Sequence, residues 1–366
     1  MKVQRIKVKN KPYSLYVLID NDYKIVDIVL KYVKFLDNTG KSPNTIKTYT
    51  HHLKLYFEYL NEINKNYKEV TFNELSNFIG WLRNPICKDN VRLLKEQDAI
   101  RSESTVNHIM SAIISFYSYV DRLEDIGISN SIQKDYNGPK KFKSFLYHTD
   151  KNKTLKSNVL KLKEKKKILR TLTIDEVKEL VNSCNTLRDK LILMLMYEGG
   201  LRVGEVLGLR LEDVITWNNE INIKHRIDNE NEVYAKSKTE RVINVSKNLM
   251  KLYLDYIISE YDEEVESDYV FINTKGKNYG KPLRYHSVLD LFNRLENKTG
   301  IKVNPHALRH THATDLLKSG WDAAYVQKRL GHANIQTTLD TYIHLTNNDM
   351  KLKYKDYISK RGDVCE

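Results

Sequence analysis

Residues suited to acid–base, charge-stabilising and nucleophilic chemistry crowd together near the C-terminus. His306 and Arg309 lie in PHALRHTHATDLLKSG (305–320), and His332 and Tyr342 in LGHANIQTTLDTYIHL (330–345). Residues three apart share one face of a helix, so His306 and Arg309 can act side by side. An arginine and two imidazoles can surround the oxygens of a phosphate with charge and donors. Imidazoles titrate near ~6.5, so either histidine can pass a proton at neutral pH. Tyr342 could then attack the phosphorus, although a phenol with an ordinary pKa near ~10 needs a cationic neighbourhood to do so. His310 and His312 crowd the same helix. His306 and His310 stand at a zinc-like i, i+4 spacing, but no carboxylate or third ligand completes that set. No metal is expected, and His310 and His312 read as packing or buttressing residues.

These groups need a scaffold. Ala313, Leu316 and Leu317 give a helix at 306–319 its apolar side, and further helices are expected at 322–330 and 335–345, on either side of the Gly-His pair at 331–332. Upstream, LTIDEVKELVNSC (172–184) opens on a capping box, Thr173 with Glu176 three residues later. The apolar run LILMLMY (191–197) reads as a buried helix at 188–198 that leads into GGLRVGEVLGLRLEDV. The segments 220–227, 233–238 and 239–246 are strand-like and fit a small three-stranded antiparallel sheet. Lys236 and Lys238, two apart, face the same side there. Helices at 247–261 and 285–298 fill the interval to the C-terminal cluster.

The N-terminal half is simpler. Residues 1–20 alternate around Asn10 as a small hairpin would. Helical periodicity starts near Ile25, and KSPNTIKTYTHHLKLYFEYL (41–60) has Ser42 as N-cap, Pro43 in the first turn and an apolar stripe from Ile46 to Leu60. Helices at 73–82 and from Ser102, on either side of a polar loop at 85–101, make about four in all, ending near 130. The stretch 134–170 is lysine-dense with little regular apolar patterning. It reads as a solvated linker, as a basic tether laid along a phosphate backbone, or as both.

A chain of 366 residues is long enough for two domains. Charged residues at 29% and hydrophobic residues at 41% indicate a folded globular protein rather than a disordered one. The longest apolar run falls far short of the ~20 residues of a membrane span, and the N-terminus lacks an apolar signal core, so a cytoplasmic protein without membrane contact is expected. Three scattered cysteines (Cys87, Cys184, Cys365) suit a reducing compartment. A formal charge of +13 favours a polyanionic partner, nucleic acid above all.

Four segments, YEGGLRVGEVLGLRLEDV (197–214), AKSKTERVINVS (235–246), PHALRHTHATDLLKSG and LGHANIQTTLDTYIHL, resemble the motifs of the tyrosine recombinase (phage integrase) family, in the family's order and separations. KSPNTIKTYTHHL resembles its N-terminal core-binding domain, and the resemblance spans roughly 25–350. It implies a mainly α (α+β) fold with a hairpin or arm at 1–24, a helical, SAM-like DNA-binding domain at 25–133, a basic linker at 134–170, a catalytic domain at 171–346 and a tail at 347–366 that could dock on a neighbouring protomer. It also implies roles. Arg202 and Arg309 would clamp the scissile phosphate, and His332 would donate to a non-bridging oxygen. His306 would assist proton transfer, and Lys236 would protonate the leaving 5′ oxygen. Lys238 remains a rival to Lys236, whose spacing to Arg241 fits better. Tyr342 would be the nucleophile and Glu205 would orient Arg202. Lys41, Lys47, Lys54, Lys140 and Lys141 are the candidate DNA contacts.

The chemistry so implied needs no cofactor. Tyr342 would form a 3′-phosphotyrosyl bond and release a 5′ hydroxyl, and pairwise exchange on two double-stranded DNA sites implies a tetramer, with accessory proteins as further partners. The resemblance leaves four readings, one of them a DNA-binding protein with an inactive catalytic site, against which the complete Arg-Lys-His-Arg-His-Tyr set argues. The extra N-terminal hairpin and the long 85–101 and 134–170 stretches favour the integrase or transposase of a mobile element. An Xer-like chromosome-dimer resolution recombinase is the nearest rival. A type IB topoisomerase-like enzyme would share the cluster but act alone.

Overall fold

The computed structural model describes residues 1–9, 11, 13–84, 99–124, 126–128, 133–136, 155–164, 170–226, 228–233, 240–262, 264–332, 354–355 and 358–359. The chain divides into two compact units, Met1–Lys166 and Lys167–Glu366. No helix among the described residues is long and apolar enough to cross a membrane.

In the first unit, β1 (Lys2–Lys7) and β2 (Ser14–Ile19) pair antiparallel, with Lys2 opposite Ile19. Four helices follow: α1 (Asp27–Asn38), α2 (Pro43–Glu62), α3 (Phe72–Arg83) and α4 (Glu103–Glu124). The Ser42 hydroxyl accepts the Thr45 amide, so α2 starts where its cap and proline dictate. Ile46, Leu53, Tyr56, Phe57 and Leu60 of α2 are buried against Phe78 and against Ile113, Phe116 and Tyr117 of α4. Buried phenols need partners: the hydroxyls of Tyr56 and Tyr117 bond each other, and Tyr117 also donates to the Tyr67 carbonyl.

Part of the lysine-dense stretch belongs to this unit. Strands β3 (Gln133–Tyr136) and β4 (Leu155–Asn158) pair antiparallel, and Leu160 and Leu162 pack on the same core. The Asn107 carboxamide holds Leu162 by both its N–H and its C=O, at 2.8 and 2.9 Å. An unpatterned linker through 155–164 is therefore corrected: alternation in LKLK aims the leucines inward and the lysines out.

In the second unit, helix α5 (Ile174–Asn182) has its capping box, with Thr173 and Glu176 exchanging amide bonds at 2.9 and 3.2 Å. Helix α6 (Leu187–Tyr197) is apolar nearly all round and is buried at the centre, with Leu191, Ile192, Leu193, Leu195 and Met196 in the core. After α7 (Val203–Leu207) comes a three-stranded antiparallel sheet in the order β5 (Val214–Ile215), β6 (Glu220–Ile223), β7 (Arg241–Asn244). The expected sheet is present, with β6 and β7 in the expected segments 220–227 and 239–246 and an unforeseen strand beside them. Its first strand is 214–215, joined to β6 by a turn in which Asn219 takes the left-handed conformation (φ 54°). No glycine marked that turn, and asparagine tolerates it. The expected strand 233–238 lies, from 234 on, outside the described residues. Helices α8 (Lys247–Ser259), α9 (Tyr285–Thr299), α10 (Pro305–Lys318) and α11 (Ala323–Leu330) complete the unit. The expected helix at 335–345 and most of the tail fall outside the described residues.

Candidate active site

The site is built where α6, α7, β7, α10 and α11 end or begin. Helix α6 stops at Glu198, and the chain turns through Gly199 and Gly200. Gly200 has φ +66°, and a Cβ there would sit 2.6 Å from the His312 ring and 2.8 Å from Leu330, so only glycine lets α10 and α11 approach this closely. Arg202 follows at the head of α7. Its backbone N–H donates to Glu205 Oε2 at 2.9 Å, and its guanidinium donates to Oε1 at 2.9 Å.

Glu205 is the hub. Its fully buried carboxylate also receives a fork from Arg241, Nη1 to Oε1 at 3.1 Å and Nη2 to Oε2 at 2.8 Å, and Arg309 Nη1 lies 3.6 Å from Oε2. Burial pushes the Glu205 carboxyl up, but the Arg241 hydrogen bonds and the charges of Arg241 and Arg309 hold it below the usual range. Three guanidiniums around one carboxylate leave two positive charges uncompensated in a largely dry place. The same arginines cap the C-terminus of α11. Arg241 Nε donates to the Arg329 carbonyl at 2.8 Å, Arg309 to the Leu330 and Gly200 carbonyls, and Arg202 to the Leu330 and Gly331 carbonyls at 3.3 and 3.2 Å. Orphan carbonyls at a helix C-terminus are the negative end of its dipole, so cations are favoured there.

Gly331 ends α11 in the left-handed conformation (φ +64°), and its missing Cβ is matched by Arg241 Nη1, which would lie 2.8 Å from it. His332 follows, tied to Gln327 by its N–H and its C=O at 3.1 and 3.0 Å. Burial, then the charges of Arg309 and Arg202, lower its imidazole to about 4. It is neutral at physiological pH and keeps one N–H to donate, and an arriving anion would relieve the depression. Arg309 is pushed down to about 9, by burial and then by Arg202, with Glu205 opposing; it stays protonated at neutral pH. Among the described residues, then, Arg202, Glu205, Arg309 and His332 come together. His306 stands in the first turn of α10, one turn before Arg309, exposed. Lys236, Lys238 and Tyr342 lie outside the described residues.

Two arginines escaped the sequence reading. Arg241 served only as a spacing mark, yet period two puts it on the face of fully buried Ile243, while Val242 points outward. An inward arginine on a strand needs a buried acid, and that requirement could have exposed it. Arg329 donates to His312 Nε2 at 3.1 Å and to the Glu198 and Asn244 carbonyls. His312 thus buttresses the site. Burial, then Arg329 and Arg309, push it down to about 3.

That depression has a measurable consequence. As pH falls below ~6.5, the unfolded chain protonates His312 while the folded protein refuses the proton, so folding stability falls until about pH 3, by up to ~1.4 kcal/mol per pH unit for one proton. His312→Gln keeps an acceptor for Arg329 and removes the titration. Urea unfolding free energies between pH 6.5 and 4 should then fall less steeply in the variant, and parallel pH profiles would count against the assignment.

Of the candidate DNA contacts, Lys41 is exposed just before α2, Lys47 lies over the Tyr16 ring at 5.5 Å, and Lys54 is paired with Glu58 at 3.5 Å. Such an i, i+4 pair is weak and leaves the lysine available. Lys140 and Lys141 lie outside the described residues. No group of metal-binding side chains occurs among the described residues.

The chain is similar to known proteins along nearly all of its length. Residues 170–349 match the model of the phage integrase family, and residues 29–122 that of the phage integrase N-terminal SAM-like domain. The chain is 53% identical over 361 residues to transposase A from transposon Tn554 of Staphylococcus aureus, covering 99% of both. It is 30% identical to the tyrosine recombinase XerA of Pyrococcus horikoshii, over 89% of this chain and 91% of that one. The fold resembles that of the Tn1549 transposon integrase in complex with transposon right end DNA, with a TM-score of 0.61 and 17% identity over 90% of this chain and 98% of that one. It also resembles the XerH site-specific recombinase bound to palindromic difH substrate, at a TM-score of 0.58 and 20% identity over 90% and 84%.

Proposed function

The chain belongs to the phage integrase family of tyrosine recombinases, and on that footing we propose a division of labour among its residues for breaking and rejoining DNA. It is a site-specific recombinase that acts on DNA, and its transposase relative places it with the enzymes of mobile elements. The observation that carries the residue assignment is the convergence of Arg202 and Arg309 on the Glu205 hub, with a surplus of positive charge that also acts on His332.

A phosphodiester is an anion with a poor leaving group, so its cleavage needs charge neutralisation, a nucleophile and a proton for the departing oxygen. Arg202 and Arg309 meet the first need, and His332 donates its N–H to a non-bridging oxygen. Tyr342 attacks the phosphorus. Its phenolic proton leaves with help from His306, the P–O5′ bond breaks, and Lys236, or its rival Lys238, returns a proton to the 5′ oxygen. The 3′-phosphotyrosyl ester conserves the bond energy, so the 5′ hydroxyl of another strand can attack it and free Tyr342. Repeated on two duplexes within a tetramer, this exchanges strands. Lys41, Lys47, Lys54, Lys140 and Lys141 track the backbone, accessory proteins can assist, and the C-terminal tail docks on a neighbouring protomer.

The experiment is a nicked suicide substrate carrying the element's end, incubated with the protein in EDTA. A covalent protein–DNA adduct should accumulate at the same rate with and without divalent metal. A strict requirement for metal would overturn the chemistry assigned to these residues.

A further inference from the structure

Among the described residues, the catalytic assignment leaves the buried Arg241 without a task. Arg241, at the first position of β7, has a side chain only 5% exposed, and its guanidinium is used on both sides. Nη1 and Nη2 fork onto Glu205, and Nε donates to the Arg329 carbonyl. Gly331, by lacking a Cβ, makes room for that guanidinium. We propose that Arg241 is a positioning residue for DNA cleavage, a rigid brace that fixes Arg202 and His332 relative to each other through Glu205 and the C-terminus of α11.

Glu205 fixes Arg202 by two bonds, one to its amide and one to its guanidinium, and Arg241 in turn fixes both oxygens of Glu205. On its other edge Arg241 holds the Arg329 carbonyl, three residues before His332. β7 also begins five residues after Lys236, so the brace sits at the end of the segment carrying the candidate lysine. A planar guanidinium can bind a carboxylate with one edge while directing Nε to a carbonyl on the other. An ammonium is a point charge and cannot hold both in one geometry. The hydrogen bonds of Arg241 are spent on Glu205 and the Arg329 carbonyl, and its contribution is to keep two groups aimed at one phosphate.

The test rests on the recombinase reading and is arranged to fail separately from it. Full-length wild type, Arg241→Lys and Arg241→Met are compared on the nicked suicide substrate for three quantities: the single-turnover cleavage rate at saturating DNA, the Kd for the same DNA, and the melting temperature. Misplacing a charge by about an ångström can cost on the order of 10²-fold in rate. Both variants should therefore cleave at least about tenfold more slowly when saturated, while the lysine variant keeps its Kd within about threefold. A residue that merely stabilises the fold would lower the melting temperature and leave the saturated rate of the folded fraction intact. Rates are read well below each variant's melting temperature, so that the methionine variant remains informative if it is less stable. A saturated rate within about threefold of wild type in either variant, or full activity in Arg241→Lys, would overturn the brace. A wild-type protein that forms no covalent adduct would instead count against the recombinase reading itself.

Discussion

Tyr342→Phe is expected to bind its DNA site with an affinity near that of wild type and to form no covalent adduct at all. The substitution removes one oxygen and keeps the ring, so the nucleophile is gone with the smallest change to the side chain. The charge proposed to hold the phosphate resides elsewhere, on Arg202 and Arg309, whose guanidiniums are set by Glu205 and by the carbonyls at the end of α11. Affinity should therefore survive and should remain steeply dependent on salt, because most of it comes from neutralised phosphates. The chain contains 24 tyrosines, yet attack demands a phenol oxygen within reach of the clamped phosphorus, so no other is expected to substitute. Denaturing electrophoresis of a nicked substrate reads the result directly. An adduct that persists in Tyr342→Phe would move the nucleophile to another residue.

The helices were legible because their signals are local. Ser42 with Pro43, and Thr173 with Glu176, mark helix starts by bonds that close within four residues. The apolar run in α6 announced its burial for the same reason. The sheet was legible in kind, but its first strand was missed, since Val214–Ile215 is only two residues long and its turn relies on Asn219 rather than glycine. The packed LKL at 160–162 was hidden in a lysine-rich stretch, where charge density masks a short alternation.

Within the site, Arg309 and His332 stood out by their types and spacing, and Arg202 was named by resemblance to the family. What sequence could not convey was the partner of each, because Glu205, Arg241 and the α11 carbonyls come from segments up to 129 residues apart. Glu205 was expected to orient one arginine and in fact meets three.

The crowding has an energetic corollary in Arg309. Its guanidinium is depressed to about 9 by burial and by Arg202, with Glu205 only partly offsetting them, so the folded protein disfavours the charge proposed to clamp the phosphate. The unfolded chain carries no such penalty, and the native state is strained in this respect at neutral pH. Arg309→Met keeps most of the buried stem and removes the charge. Against the relief stand the Gly200 and Leu330 carbonyls that lose a donor, and an unsatisfied buried acceptor costs on the order of 1–3 kcal/mol. Leu330 retains Arg202 as a partner, so only the Gly200 carbonyl is stranded. Replacing buried ions by apolar groups of similar shape is often neutral or stabilising by about 1–4 kcal/mol. Arg309→Met should therefore melt within a few degrees of wild type while its cleavage falls by about 10²–10³-fold or more, as when a preorganised donor to a developing charge is removed. Glu205→Gln supplies the opposite case. It leaves three guanidiniums facing a neutral amide, and stranding buried charges costs about 3–5 kcal/mol, so its melting temperature should fall sharply. Thermal melts and single-turnover cleavage of the two variants decide the matter: if Arg309→Met proves the less stable of the pair, the charge of Arg309 supports the fold rather than straining it.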